Sequence, residues 1–342
     1  MPFIDVPEQH LTVFYVLNPL EHISYPTHPT SVDPSVQDPD IRCAAYDPSK
    51  PTLVFLHAGC RSVAQFGAQL HDTRLKSRFN LLAFARHYHG RTRFFGSTDK
   101  EHTLEESADG AIATLDALCA RFGIKQYSVF AEGIAGCHVG TTLAIRRPQQ
   151  VLSMILSSPG HMRQTSSPVS IGLCELLAHL CQNKDGKGDG TGTIPEEVLE
   201  ENAEYCFGNA ERKVGELRKV HNEAFQRRYG TGHSSYDLTQ LFYSEARRTG
   251  IPEEERMKVE CPILVLHGTK DTLICPRSAA EEWQRGFPNS KGGAELKPIT
   301  GGPHLLSFIE GNVVNRIILG FVSQTVTPDT LHDHIRRTSI VR

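Results

Sequence analysis

Short, continuously apolar, β-rich runs place the strongest constraint on this chain. TLVFLH (52–57), FNLLAFA (79–85), YSVFAE (127–132) and VLSMILSS (151–158) lack the polar alternation of a sheet with one wet face. They read as strands buried on both faces, the mark of a parallel sheet. LTVFYVL (11–17) precedes them as a strand, and CPILVLHG (261–268) and GAELKPI (293–299) follow as strands. Helical patterns lie between. Leu104, Ala108, Ala111, Leu115, Leu118 and Phe122 recur at three- and four-residue steps, Thr103 with Glu106 fits a capping box, and Gly123 ends the pattern. Strands alternating with helices predict an α/β fold, a mostly parallel sheet with helices on both faces. Ligands of such sheets bind beyond the carboxyl ends of the strands, so chemistry is sought there.

The rhythm breaks after residue 160. Residues 161–250 carry mostly helical patterns, VSIGLCELLAHLC, IPEEVLEENAEYCF, ERKVGELRKVHNEAFQRRY and YDLTQLFYSEARR, interrupted by the polar, glycine-rich KDGKGDGTGT (184–193). Helices inserted between two strands of one sheet predict a helical lid at 161–250, over a core made of 1–160 and 251–325. A helix around Trp283 and a last helix, LLSFIEGNVVNRIILGFV, complete the core, and 326–342 reads as a polar tail.

Composition excludes several classes. With 36 Lys and Arg against 39 Asp and Glu, the net charge of −3 supplies no field for nucleic acid or an anionic membrane. The nine cysteines form no CxxC pair and several sit in apolar runs, as reduced thiols packed as small hydrophobes do. No apolar run approaches a membrane span, and MPFIDVPEQH lacks the basic flank and apolar stretch of a signal peptide. A soluble, cytoplasmic protein is the expectation.

Three strand ends stand out. YSVFAEGIAGCHVG (127–140) reads as strand, sharp turn and helix, with small Ala131, Ala135 and Gly136 around Gly133 at the tip. A nucleophile elbow needs those small residues, because larger ones collide across the turn. Its tip is often held at positive φ, which glycine adopts without strain. LVLHGTKD places Asp271 after a buried strand and a glycine turn, and TGGPHLLSF places His304 in a Gly/Pro loop before a helix. Turn residue, acid, histidine is the chain order of the α/β-hydrolases.

On these motifs the chain resembles the α/β-hydrolase superfamily with a helical lid, over roughly residues 10 to 325. The resemblance implies that Asp271 orients and charges His304, and that Gly133 occupies the position of the nucleophilic serine. It also implies an oxyanion hole of backbone N–H groups from Ile134 and from Gly59 or Cys60 in HAGC. RHYHGRT (86–92) resembles the turn after the next strand, where the family often has an acid and this chain has Ala85.

Other residues weigh less. GIAGCHVG has the wrong spacing for a dinucleotide site. Cys137, one turn past the tip, reads as core with no activating base. His87 and His89 look like a metal pair without a third ligand, so no metal and no cofactor are expected. His57, Glu132 and His161 fall near strand ends as pocket candidates, each with a structural reading beside the functional one.

Three functions are compatible. The leading expectation is a hydrolase of ester- or lactone-cleaving lineage whose serine is replaced by Gly133. The second is a lyase, cyclase or isomerase that uses His304 with Asp271 as a general base. The third is a small-molecule binding protein without turnover. Leu173, Leu177, Phe207, Phe225 and Phe242 in the lid segment point to a small apolar ester- or lactone-like ligand, and its amphipathic helices could serve a homodimer.

Overall fold

A computed structural model describes residues 3–20, 41–96, 102–163, 196–207, 219, 222–223, 225–226 and 232–325. The expected helix carrying Leu173 and Leu177, the glycine-rich 184–193 segment and the tail 326–342 lie outside the described residues.

Among the described residues nine strands form one sheet, β1 (Phe3–Val6), β2 (Leu11–Leu17), β3 (Thr52–Leu56), β4 (Asn80–Phe84), β5 (Arg93–Phe94), β6 (Tyr127–Glu132), β7 (Val151–Ser157), β8 (Ile263–Gly268) and β9 (Ala294–Ile299). Their order is β1-β2-β4-β3-β6-β7-β8-β9, with β5 paired to β2. From β4 through β9 every pairing is parallel, whereas β1, β2 and β5 pair antiparallel at one end. The sequence reading missed β1 and β5, which are too short to carry a periodicity of their own.

The helices are α1 (Leu104–Phe122), α2 (Gly133–Arg146), α3 (Glu196–Phe207), α4 (Gly232–Ala246), α5 (Arg277–Arg285) and α6 (Gly311–Thr325), with short helical turns such as Leu306–Ile309 between them. The capping box of α1 is present. Thr103 Oγ1 accepts from the Glu106 N–H at 3.1 Å, the Thr103 N–H donates to Glu106 Oε2 at 2.9 Å, and Gly123 closes the helix at φ 71°.

The pleat divides the apolar residues between two cores. Val54 and Leu56 of β3, Val129 and Ala131 of β6, and Ile263 and Val265 of β8 face one core with Leu115 and Leu118 of α1 and Val139 and Leu143 of α2. Leu53, Phe55, Phe130, Leu264 and Leu266 face the other with Ile318 and Val322 of α6. This period of two, with both faces dry, is why the strands read as unbroken apolar runs.

The chain adds β4 on one side of β3 and then β6 on the other. A crevice opens beyond the carboxyl ends of strands where the winding reverses in this way. The loops after β3 and β6 therefore border the expected site.

Candidate active site

Gly133 follows β6 directly and opens α2 at φ 73°, a conformation that favours glycine. Close packing of α2 on the sheet is also written in glycines: a Cβ at Gly136 would lie 2.7 Å from the carbonyl oxygen of Leu56, and one at Gly140 3.1 Å from the methyl of Ala131. The turn at the strand–helix junction is thus held rigidly over the end of the sheet.

His304 and Asp271 come from two other loops joined by backbone bonds. Lys270 N–H donates to Gly302 O at 2.9 Å and Thr269 N–H to Ile299 O at 3.1 Å. Gly268 permits this crossing, since a Cβ there would collide with the carbonyl oxygens of Gly302 and Pro303. The result is a 2.6 Å hydrogen bond between His304 Nδ1 and Asp271 Oδ2, both side chains buried. Asp271 Oδ1 accepts from the Ile274 and Cys275 N–H groups, each at 3.1 Å, which sets the carboxylate's angle. With Nδ1 bonded to Asp271, Nε2 is the free face of the ring. It lies 3.8 Å from where a Cβ on Gly133 would stand. Imidazole, carboxylate and bare α-carbon, far apart in sequence, meet at one point.

Burial opposes charge on His304 and the Arg61 guanidinium adds to that. The Asp271 carboxylate, its hydrogen bond and the charge of Glu132 outweigh both and hold the imidazole pKa above the ordinary histidine value. A raised folded-state pKa means that the protonated pair contributes stability fully below about 6.5 and loses it as pH climbs through the folded value. Urea unfolding of the wild type and His304→Gln is expected to differ most below that pH and to converge above it. A pH-independent gap would contradict the assignment of the charged pair.

The loop after β3 is more constrained than its sequence suggests. Ala58 N–H donates to Gln65 Oε1 at 3.0 Å, and Cys60 N–H donates to His89 Nε2 at 3.1 Å. Among the described residues nothing accepts from the Gly59 N–H. Of the loop donors expected for an oxyanion, Gly59 is therefore available and Cys60 is engaged. Ile134, second residue of α2, carries one of the N–H groups that a helix start leaves without an intrahelical acceptor.

Ala58 matters most. A Cβ on Gly133 would lie 2.6 Å from the Ala58 methyl and 3.2 Å from its Cα. Real Cβ atoms do not approach so closely, so Ala58 fills the space of a side chain at 133. Ala58 is itself packed with Ala203, Cys206 and Phe207 of α3 and with Leu305 beside the histidine. The Leu305 N–H donates to Cys206 O at 3.2 Å, tying α3 to the His304 loop. Nothing in HAGC marks this wedge; only the tertiary contact shows it.

The pocket candidates divide. His57 is fully buried; its Nδ1 donates to Ala58 O at 2.8 Å and its Nε2 accepts from the Arg86 N–H at 3.1 Å. Burial drives its pKa well below the ordinary value, so it is a neutral strut under the loop. The His161 ring pairs with Glu282 on α5 at 3.1 Å. Glu132, the residue before the tip, is wholly buried. Its Oε1 accepts from Ser157 Oγ at 2.8 Å and the Ser307 N–H at 2.9 Å, and its Oε2 from Gln65 Nε2 and Ser307 Oγ. Burial raises its pKa against those donors. Glu132 thus ties β6, β7, the loop carrying Ala58 and the helix after His304 to one carboxyl group. Sequence reasoning missed its partners Gln65 and Ser307, whose polar types gave no signal.

Cys137 is fully buried among core residues, and burial pushes its thiol well above the ordinary range. The His87 ring stacks on Tyr88 at 3.8 Å, and His89 Nδ1 donates to the His87 carbonyl, so both histidines of HYH serve packing and loop geometry. Among the described residues no helix is long and apolar enough to cross a membrane.

No protein-family model matches the sequence, and neither does any curated protein. Solved structures do resemble the fold. An α/β-hydrolase enzyme, MGS-M2, from a Medee basin deep-sea metagenome library superposes with a TM-score of 0.67 at 14% identity, covering 93% of this chain and 96% of that one. The enol-lactonase from Burkholderia xenovorans LB400 gives 0.65 at 14% identity, with 94% and 100% covered. A carboxylesterase from the thaumarchaeon Nitrososphaera gargenis gives 0.66 at 15% identity, with 95% and 98% covered.

Proposed function

The chain has the α/β-hydrolase fold, and on that frame we propose a nucleophile-free enzyme in which His304, oriented by Asp271, removes a proton from a small carbonyl compound. The carrying observation is the Ala58 methyl, 2.6 Å from where any Cβ at 133 would stand. A serine hydrolase that had merely lost its CH2OH group is expected to keep that space open. Here the neighbouring loop has closed on it, so the site is built around glycine. This favours the lyase, cyclase or isomerase reading over a hydrolase awaiting its serine.

The chemistry follows from the remaining groups. At pH above its raised pKa the His304 ring is neutral and, with Nε2 facing the cleft and Nδ1–H held by Asp271, takes the proton. The N–H groups of Gly59 and Ile134 receive the negative charge that develops on the carbonyl oxygen. Segment 161–250, represented by α3 and α4, acts as the lid, with Ala203, Cys206 and Phe207 packed beside Ala58 and the buried Arg61 guanidinium against Cys206 Sγ. The neighbours' printed names, an enol-lactonase and carboxylesterases, support a carbonyl-bearing ligand.

The test uses cyclohexanone in D2O, with α-proton exchange followed by NMR. The wild type is expected to exchange the α-protons faster than buffer, and His304→Ala to lose about 10²-fold or more of that excess. No covalent adduct should form with p-nitrophenyl acetate. Exchange at the buffer rate, exchange that survives His304→Ala, or an acyl adduct in the cleft would each overturn the proposal.

A further inference from the structure

The last turn of α4 delivers one acidic side chain to the loop that carries the candidate oxyanion donor. Glu245 Oε1 lies against the face of Gly59 where a Cβ would be, and its Cδ stands 2.9 Å from that position. With glycine at 59 the carboxyl group rests directly against the loop backbone; a Cβ there would have to push it aside. The placement is held from both sides. Leu241 and Phe242 of α4 are buried with Tyr88 and Phe225. Arg248, just past the helix, donates from Nη1 to Glu245 O at 2.5 Å and from Nε to His161 O at 3.1 Å.

A carboxylate is a strange guest there. Ionised, it would repel the negative charge that Gly59 N–H and Ile134 N–H are disposed to receive. Protonated, it would donate a third hydrogen bond to the same oxygen. Burial raises the Glu245 pKa above the ordinary carboxylate value, against the opposing charges of Arg248, Arg86, His304 and Arg61 around it. Ala58 and Gly59 are consecutive. Ala58 adjoins Gly133, over which His304 Nε2 projects, and Gly59 adjoins Glu245. The two proton-handling groups thus flank two successive residues whose α-carbons are about 3.8 Å apart.

We infer that Glu245 is a second catalytic residue, the general acid that faces His304 across the cleft, and that the pair interconverts a ketone with its enol. This rests on the general-base reading above and narrows it to enolisation and the isomerisations that pass through it. In the forward step the α-carbon–hydrogen bond breaks and its proton goes to His304 Nε2. The released electron pair forms the carbon–carbon double bond, the carbonyl π pair moves to oxygen, and that oxygen takes the proton of Glu245. The enol remains with a His304 imidazolium and a Glu245 carboxylate. Return of a proton from His304 to the same carbon, or to the γ-carbon of a conjugated dienol with a shift of its double bond, and of the enol proton to Glu245, reforms the carbonyl and restores both groups. No oxidant, metal or external co-reactant is needed.

The test extends the cyclohexanone exchange assay to Glu245. Glu245→Gln keeps the size of the side chain on Gly59 and is expected to lose at least tenfold in exchange rate, with thermal unfolding unchanged. Glu245→Ala is expected to lose as much and to recover part of the rate on addition of acetate, which can enter the space above Gly59. Exchange in Glu245→Gln within twofold of the wild type, with His304→Ala inactive, overturns the assignment of Glu245 and leaves the role of His304 standing. Loss without recovery by acetate also overturns it, because a residue that only positions the lid would behave so. Exchange by the wild type at the buffer rate removes the general-base reading itself.

Discussion

Ala58→Gly/Gly133→Ser is expected to react with a fluorophosphonate and to hydrolyse p-nitrophenyl acetate, whereas Gly133→Ser alone is not. The single substitution drives a Cβ to within 2.6 Å of the Ala58 methyl, so the turn or the loop must move. Overpacking of that kind costs about 1–3 kcal/mol, and a non-glycine residue at φ 73° adds a cost of similar size. A displaced serine is also misaimed. Removing the methyl of Ala58 lifts the 2.6 Å clash and leaves a 3.2 Å contact with the Cα of residue 58, which a shift of a few tenths of an ångström relieves. The Cβ then stands 3.8 Å from His304 Nε2, and an Oγ one bond further falls within hydrogen-bond reach of the imidazole. Asp271 already holds the ring, and the Gly59 and Ile134 N–H groups are the proposed donors to the tetrahedral oxyanion. Losing a triad serine elsewhere costs about 10⁶ in kcat, so even partial recovery should stand far above background. Mass spectrometry of labelled protein decides the matter. Labelling of the single variant as fast as the double one would show that Ala58 is no obstacle, and the glycine-built site would fall with it.

Glu132→Ala is expected to destabilise the fold by about 3–5 kcal/mol, through several buried donors left unpaired and a cavity. One truncation strands Ser157 Oγ, Ser307 Oγ, the Ser307 N–H and Gln65 Nε2 in a dry environment and leaves a cavity behind. Glu132→Gln keeps the volume but turns one acceptor into a donor facing donors, and is expected to cost about 1–3 kcal/mol. Because Gln65 also accepts from the Ala58 N–H, and Ser307 lies three residues beyond His304, these variants should loosen both walls of the cleft. Chemical denaturation gives the numbers. A Glu132→Ala protein within 1 kcal/mol of wild type would mean that water replaces the carboxyl group with little cost.

How much of this was legible in the sequence depends on range. The runs at 52–57, 79–85, 127–132, 151–158 and 261–268 match β3, β4, β6, β7 and β8 to within two residues at each end, because both faces of a parallel sheet must be apolar and local composition reports that. The capping box at Thr103 and the elbow at Gly133 were legible for the same reason. Each is a short-range geometric demand met by residues a few positions apart. The meeting of Asp271 with His304 was read from motif order, and the 2.6 Å bond between them agrees with that order.

What the sequence could not determine is what presses on these residues from elsewhere in the chain. HAGC offered Gly59 and Cys60 as equal candidates for the oxyanion donor. The fold separates them by placing His89 Nε2 against the Cys60 N–H. His57 and Glu132 looked like pocket residues because they end strands, but burial and complete hydrogen bonding make them the struts of the site. Glu245 gave no signal at all as one acid in a helical pattern. The alternation of apolar strands and capped helices by itself determined the α/β sheet, since secondary structure and burial follow local periodicity. Only the tertiary structure decided that a methyl from one loop closes the space above Gly133 while a carboxyl group from another element covers Gly59. Steric exclusion and electrostatic bias act through space, between groups that the chain order leaves 75 and 186 residues apart.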